Sequence, residues 1–165
     1  MAIHAAHSAS KKVILRAPKP EDLHRLLVIE RRCFRAHRFT KEDFEYHFGN
    51  LSSIFSVAEY SGKVVGYVAG IIYHGSRFRV GQIYSMAVLP KSRRLGIGST
   101  LLNYFEQEAV KGGCRSATLE VRRSNRSAQA LYRRLGYEVE EVLKDYYARG
   151  SDGLRMRKIL SRAKG

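Results

Sequence analysis

Apolar residues recur along this chain in two rhythms, alternating in some stretches and spaced about 3.6 apart in others, and the switches between them mark out its elements. Residues 13–15 are a continuous apolar run that reads as a short first strand, β1, stopped by Pro18 and Pro20. Glu21 and Asp22 open a helix, α1, whose stripe of Leu23, Leu26 and Leu27 carries on to Phe34 and which ends near Cys33. Thr40 followed by Lys41-Glu42-Asp43 has the form of an N-cap with acids in the first turn, and predicts a short helix α2 to Phe48. Residues 54–59 and 64–73 read as strands β2 and β3 joined at Ser61-Gly62, and 79–89 as β4. Leu101, Leu102, Phe105 and Ala109 share one side of a helix α3 that starts near Ser99 and stops at Gly112-Gly113. Ala117, Leu119 and Val121 alternate along β5. A helix α4 over 125–135 ends at Gly136, and 139–143 and 154–159 are the last strands, β6 and β7. The order β1-α1-α2-β2-β3-β4-α3-β5-α4-β6-β7 contains no repeat and predicts an α/β domain with a single mixed β-sheet.

Composition narrows this picture. A chain of 165 residues and 18.8 kDa with 44% hydrophobic residues is expected to form one domain, here 13–160, with a disordered tail at 1–12 and a basic tail at 161–165. No apolar run approaches the about 18 residues of a membrane span, and the first residues hold no apolar core of a signal peptide. Cys33 and Cys114 are far apart and form no Cys-x-x-Cys pair, which favours a reduced, cytoplasmic protein. The histidines show no metal-ligand spacing. The unusual bulk property is a net charge of +15, which suits phosphates, acidic peptides or RNA as partners, or no more than a solvated basic surface. The basic clusters at 31–38, 91–94, 122–126, 133–134 and 155–164 are not interleaved with stacking aromatics as in a single-strand binder.

The sharpest chemical signal is Arg93-Arg94-Leu95-Gly96-Ile97-Gly98, set between the apolar run of β4 and the start of α3. A strand, a glycine loop and a helix N-terminus form an anion cradle. Glycine admits a close approach of the backbone, the first-turn amides have no partners within the helix, and the helix dipole adds partial positive charge. The paired arginines add forked donors for phosphate. The loop has no Lys-Ser/Thr after its second glycine, which excludes a nucleotide P-loop, and it lacks the third glycine of the dinucleotide fingerprint. Two glycines at this spacing also fit a plain turn with solvated arginines.

Further motifs follow in order: Leu119-Glu120-Val121-Arg122, Ser124-Asn125, Ala130-Leu131-Tyr132, Leu135-Gly136-Tyr137, then Asp145-Tyr146-Tyr147 with Gly150 and Asp152-Gly153. With Arg93-x-x-Gly96-x-Gly98 they resemble the GNAT acetyltransferases, and within them the RimI-type enzymes of ribosomal-protein N-termini and their archaeal and eukaryotic N-terminal acetyltransferase relatives. The resemblance runs from about Val13 to Leu160 and implies a GNAT fold with helices on both faces of the sheet. It implies acetyl-CoA as cofactor and a protein or peptide N-terminus, a ribosomal protein among the candidates, as acceptor. A lysine or small-molecule acetyltransferase on the same scaffold stays open, as does a basic module associated with the ribosome or its RNA.

The resemblance also assigns roles. Main-chain groups of Met86, Ala87 and Val88 would pair with the pantetheine arm, and Arg93, Arg94, Leu95, Gly96, Ile97, Gly98, Ser99 and Thr100 would hold the pyrophosphate. Asn125 would bond the pantetheine or a water, and Tyr132 would protonate the departing thiolate. Glu120 would be the general base acting through water, or else a plain ion-pair partner of Arg122 or Arg115. Tyr146 and Tyr147, expected in the turn between β6 and β7, would clasp the acceptor, with Phe34, His37 and Arg38 on the opposite wall. RimI-type loops tend to carry Pro-Trp in that wall. This chain has Arg35-Ala36-His37-Arg38, which suits either acceptors with an acidic second residue or plain solvated exposure.

Overall fold

Seven strands form one sheet in the order β1-β2-β3-β4-β5-β7-β6 in the computed structural model, which describes residues 12–160. The tails expected at 1–12 and 161–165 fall outside the described residues, Lys12 excepted. The strands are β1 (Val13–Arg16), β2 (Ser53–Tyr60), β3 (Lys63–His74), β4 (Arg79–Val88), β5 (Cys114–Arg122), β6 (Glu138–Ala148) and β7 (Ser151–Ile159). The helices are α1 (Leu23–Cys33), α2 (Lys41–Gly49), α3 (Ile97–Lys111) and α4 (Arg126–Arg134). This is the expected element order. Glu21 and Asp22 belong to a single 3-10 turn ahead of α1, and α3 starts two residues early because Gly96, at φ 74°, turns the loop directly into the helix.

Helices cover both faces. On β3 the Tyr67 hydroxyl reaches Glu30 of α1, while three residues on Gly70 lies under Phe105 of α3, so α1 and α3 pack on opposite sides. A Cβ at Gly70 would come within 2.7 Å of the Phe105 ring and one at Gly81 within 3.1 Å; the glycines are the socket for that ring. Leu101, Leu102, Phe105 and Ala109 are fully buried, as are Leu26, Ile29 and Phe44 beneath the other face. Truncating Phe105 to Ala would therefore cost about 3–5 kcal/mol.

Every strand pair is antiparallel except β4 with β5, and that one parallel pairing is what makes the site. Its register runs from Arg79↔Cys114 to Ile83↔Leu119 and stops there. Beyond it β4 continues to Val88 against β3 only, and β5 continues to Arg122 against β7 only, so the two strands splay apart. At the same point Ser85 pairs with Ala69 and Ile83 with Gly70, which leaves Tyr84 as the extra residue of a β-bulge, 49% exposed beside the opening.

The last hairpin corrects the sequence reading. Tyr146 and Tyr147 lie within β6, not in the turn after it. Leu143 pairs with Gly153 and Ala148 with Ser151, so four residues of β6 bulge opposite Asp152 alone. Asp145, at φ 53°, fixes the bulge: its amide donates to Asp152 Oδ1 at 3.0 Å, and its Oδ1 accepts from the Gly150 amide at 2.6 Å. Periodicity failed here because a bulge breaks the alternation on which it relies.

Candidate active site

Two openings converge where β4 and β5 part. One, of about 580 Å³, runs from the α3 N-terminus between the splayed strands. The other, a groove of about 630 Å³, runs out over Ile71, Tyr73 and Tyr84. They share His37, Tyr84, Glu120 and Tyr147, so Glu120 stands at their junction.

The first opening presents main chain from two elements, the end of β4 and the start of α3. The Val88 carbonyl accepts Arg93 Nε at 3.0 Å and Cys33 Sγ at 3.5 Å, so it is turned away from β3. By the alternation of an antiparallel ladder, the main-chain groups of Met86 face the same way. At its outer end α3 begins at Gly96 with no side chain capping it, whereas Thr40 caps α2 through the Asp43 amide and Asn125 caps α4 through the Ala128 amide. Gly96, Ile97, Gly98 and Ser99 all line the opening, and nothing lies within 4 Å of where a Gly96 Cβ would stand. The free amides of a helix of 15 residues thus face this space, with Arg93 and Arg94 beside them.

Not all of the expected loop takes part. Leu95 is half exposed and Thr100 donates its hydroxyl back to Gly96 O at 2.8 Å; neither lines the opening. Asn125 does line it, with Oδ1 occupied by the Ala128 amide at 3.2 Å. Tyr132 also lines it, packed edge-on to Tyr137 with ring centres 6.1 Å apart. Burial first and Tyr147 second push the Tyr132 hydroxyl up to about 12, so it keeps its proton at neutral pH.

The Glu120 side chain is 16% exposed, and both its oxygens are engaged. Gln82 Nε2 donates to Oε2 at 2.6 Å and Arg155 Nε to Oε1 at 3.2 Å. The ion-pair partners weighed from sequence are both employed elsewhere. Arg122 lies over the Tyr147 ring at 4.3 Å and donates to Ser151 Oγ, and Arg115 lies over Phe78 at 4.2 Å.

In the groove, Tyr146 and Tyr147 stand edge-to-face at 5.0 Å. They need Gly153 opposite them, since a Cβ there would come within 3.1 Å of Tyr146 and 3.2 Å of Tyr147. The Tyr147 hydroxyl is pushed up to about 12, chiefly by burial, with Tyr146 and Glu120 adding to it and Arg122 opposing. His37, at φ 53°, meets Tyr147 edge-on at 5.8 Å and closes the groove from the other wall. Phe34 lines the first opening. Arg38 lines neither; it donates Nε to the Phe34 carbonyl at 2.5 Å and braces the loop.

The sequence reading passed over several contributors, among them two tyrosines and a buried acid. Tyr73 and Tyr84 line the groove, and Glu30 anchors its wall: buried in α1, it accepts from the Tyr67 hydroxyl and from the Phe39 amide at 2.7 Å, tying the loop after α1 to the sheet. Burial, the largest influence, raises the Glu30 carboxyl. A signal existed for it, an acid beside Leu26 and Ile29 on the buried stripe.

Against this geometry, residues 22–137 match the model of the acetyltransferase (GNAT) family. The chain belongs to the GNAT family. It is thus an N-acetyltransferase, and GNAT enzymes use acetyl-CoA. The residues present fit that group: uncapped amides and arginines suit a pyrophosphate, and a slit between parting strands suits an extended arm. The chain is 36% identical over 154 residues to an uncharacterized N-acetyltransferase of Methanocaldococcus jannaschii, covering 93% of this chain and 96% of that one. It is 38% identical over 123 residues, 68% of this chain and 73% of the other, to an N-alpha-acetyltransferase of Sulfurisphaera tokodaii. Among solved structures it resembles the ribosomal-protein-S18-alanine N-acetyltransferase of Escherichia coli, with a TM-score of 0.77, 26% identity, and coverage of 92% and 96%. Among the described residues no helix of this GNAT enzyme is long and apolar enough to cross a membrane.

Proposed function

We propose that the protein acetylates the α-amine of a protein or peptide N-terminus. The observation that carries this reading is the shape of the junction: the groove reaches Glu120 over Tyr73, Tyr84 and Tyr146 and is closed on one side by the contact of His37 with Tyr147. A chain end fits such an approach, whereas a lysine presented in mid-chain brings backbone on both sides against that pair. Two relatives support it, one named for N-alpha-acetylation and one for acetylating the alanine of ribosomal protein S18.

Acetyl-CoA, when bound, supplies an activated acetyl thioester. The amides at the start of α3, with Arg93 and Arg94, would hold the pyrophosphate, and the main-chain groups of Met86 to Val88 would hold the arm. An amide among them would be placed to donate to the thioester oxygen, an interaction worth up to about 3 kcal/mol. Glu120 takes the amine proton through water. An α-amine with pKa near ~8 needs less of that help than a lysine near ~10.4. Tyr132 holds the proton destined for the sulfur.

The test is a panel of peptides with free or blocked N-termini, each with an internal lysine, incubated with acetyl-CoA and mapped by mass spectrometry. Acetylation confined to free N-termini is expected; acetyl groups chiefly on internal lysines would replace this reading with the lysine alternative.

A further inference from the structure

Gln82 is a polar residue in an otherwise apolar stretch of β4, 9% exposed, next to the last rung of the parallel pairing. Its rung partner on β5 is Thr118, 1% exposed, whose hydroxyl lies 2.5 Å from Gln82 Oε1. The two contacts of this amide fix each other. A carboxylate only accepts, so Nε2 must face Glu120; Oε1 then faces Thr118, which must donate. A flipped amide would set its oxygen against the carboxylate. Thr118, Gln82 and Glu120 therefore form a chain of hydrogen bonds with one polarity.

This chain opposes a second pull. Arg155 of β7 holds Glu120 at 3.2 Å but Glu141 of β6 at 2.7 Å, so its guanidinium is drawn toward the sheet edge. With Arg155 as sole anchor, the Glu120 carboxylate would follow it toward β7 and leave the junction of the two openings. Gln82 reaches it from β4, the other side of the splay.

We infer that Gln82 is a positioning residue, which holds the Glu120 carboxylate at the mouth of the splay and is itself oriented by Thr118. The inference rests on the proposed role of Glu120 as base. Gln82→Leu keeps the bulk and removes the amide. In this variant kcat falls between about 10-fold and 10²-fold, as for a misplaced catalytic group, while acetyl-CoA affinity by calorimetry stays native. In the Glu120→Gln background the same change has no further effect, because the group it positions is already disabled. A general packing defect would slow both backgrounds equally. Thr118→Val lowers kcat in the same direction, and Thr118→Ser, which keeps the hydroxyl, restores it; this pair serves also if Gln82→Leu folds poorly. Native kcat in Gln82→Leu and Thr118→Val, with Glu120→Gln inactive, overturns the positioning role and leaves the base standing. Native kcat in Glu120→Gln overturns both.

Discussion

On the α3 side of the cleft main-chain groups contribute much of what a ligand meets: uncapped amides from Gly96 onward and the stretch of β4 that has left β5. On the β6–β7 side it is side chain: Tyr146, Tyr147 and His37, held by a bulge, a glycine and an edge-on ring contact. The first surface depends on backbone conformation and tolerates many side chains; the second depends on the identity of each residue. On the proposed reading, cofactor recognition and acceptor choice would vary independently on one scaffold, with Glu120 common to both.

The sharpest break in this division is expected at the shared residue. Glu120→Gln keeps the shape but takes no proton, so turnover should fall by ~10²-fold or more with acetyl-CoA affinity little changed, as steady-state kinetics and calorimetry would register. Native turnover in this variant would remove the acid from the mechanism. Next comes the main-chain side. Gly96 sits at φ 74°, where a β-branched residue costs about 1–2 kcal/mol, so Gly96→Val should weaken acetyl-CoA binding by about 10-fold. Unchanged affinity would mean that the loop does not cradle the pyrophosphate. Tyr147→Ala should raise the peptide KM by about 5-fold and leave acetyl-CoA binding intact. A change confined to acetyl-CoA would erase the distinction between the two sides.

The smallest effect separates them by pH. His47 of α2 is buried against Phe39 and Tyr84, and burial lowers its pKa from the usual 6.5, with Asp43 opposing. The unfolded chain then takes up this proton at a higher pH than the folded one. Stability is accordingly lost as pH falls through about 6.5 toward the folded value. Asp22, held low by Arg16, begins to protonate only far below that range. Melting temperatures taken at about pH 7.5 and about pH 5.5 should differ more for the native chain than for His47→Phe. Equal differences would show that His47 does not set this dependence.

What could be read in the sequence divides along the same line. Gly96 and Gly98 before an apolar stripe announce a turn into a helix because glycine conformation and helical period are local properties. On the other side the motifs named Tyr146, Tyr147 and His37, but their setting escaped because its determinants are non-local. The extra residue at Tyr84 exists only in the register of β3 against β4. Arg155 meets Glu120 only because β7 inserts between β5 and β6, so that a side chain 35 positions away becomes a neighbour. Periodicity tells which face a residue takes, not which strand lies beside it.

The parallel pairing that ends at Ile83↔Leu119 leaves the sheet like two plates riveted along half of a common edge. The first four strands belong to one plate and β5, β7 and β6 to the other, with α3 as the strap across the back. An extended molecule laid in the open half of that edge does the work of a missing strand and fastens the plates along their full length. Its binding energy then adds to the resistance of the whole domain to unfolding, by about 2.7 kcal/mol at a hundredfold excess over its Kd. A cofactor bound there would thereby also govern how firmly the enzyme holds its shape.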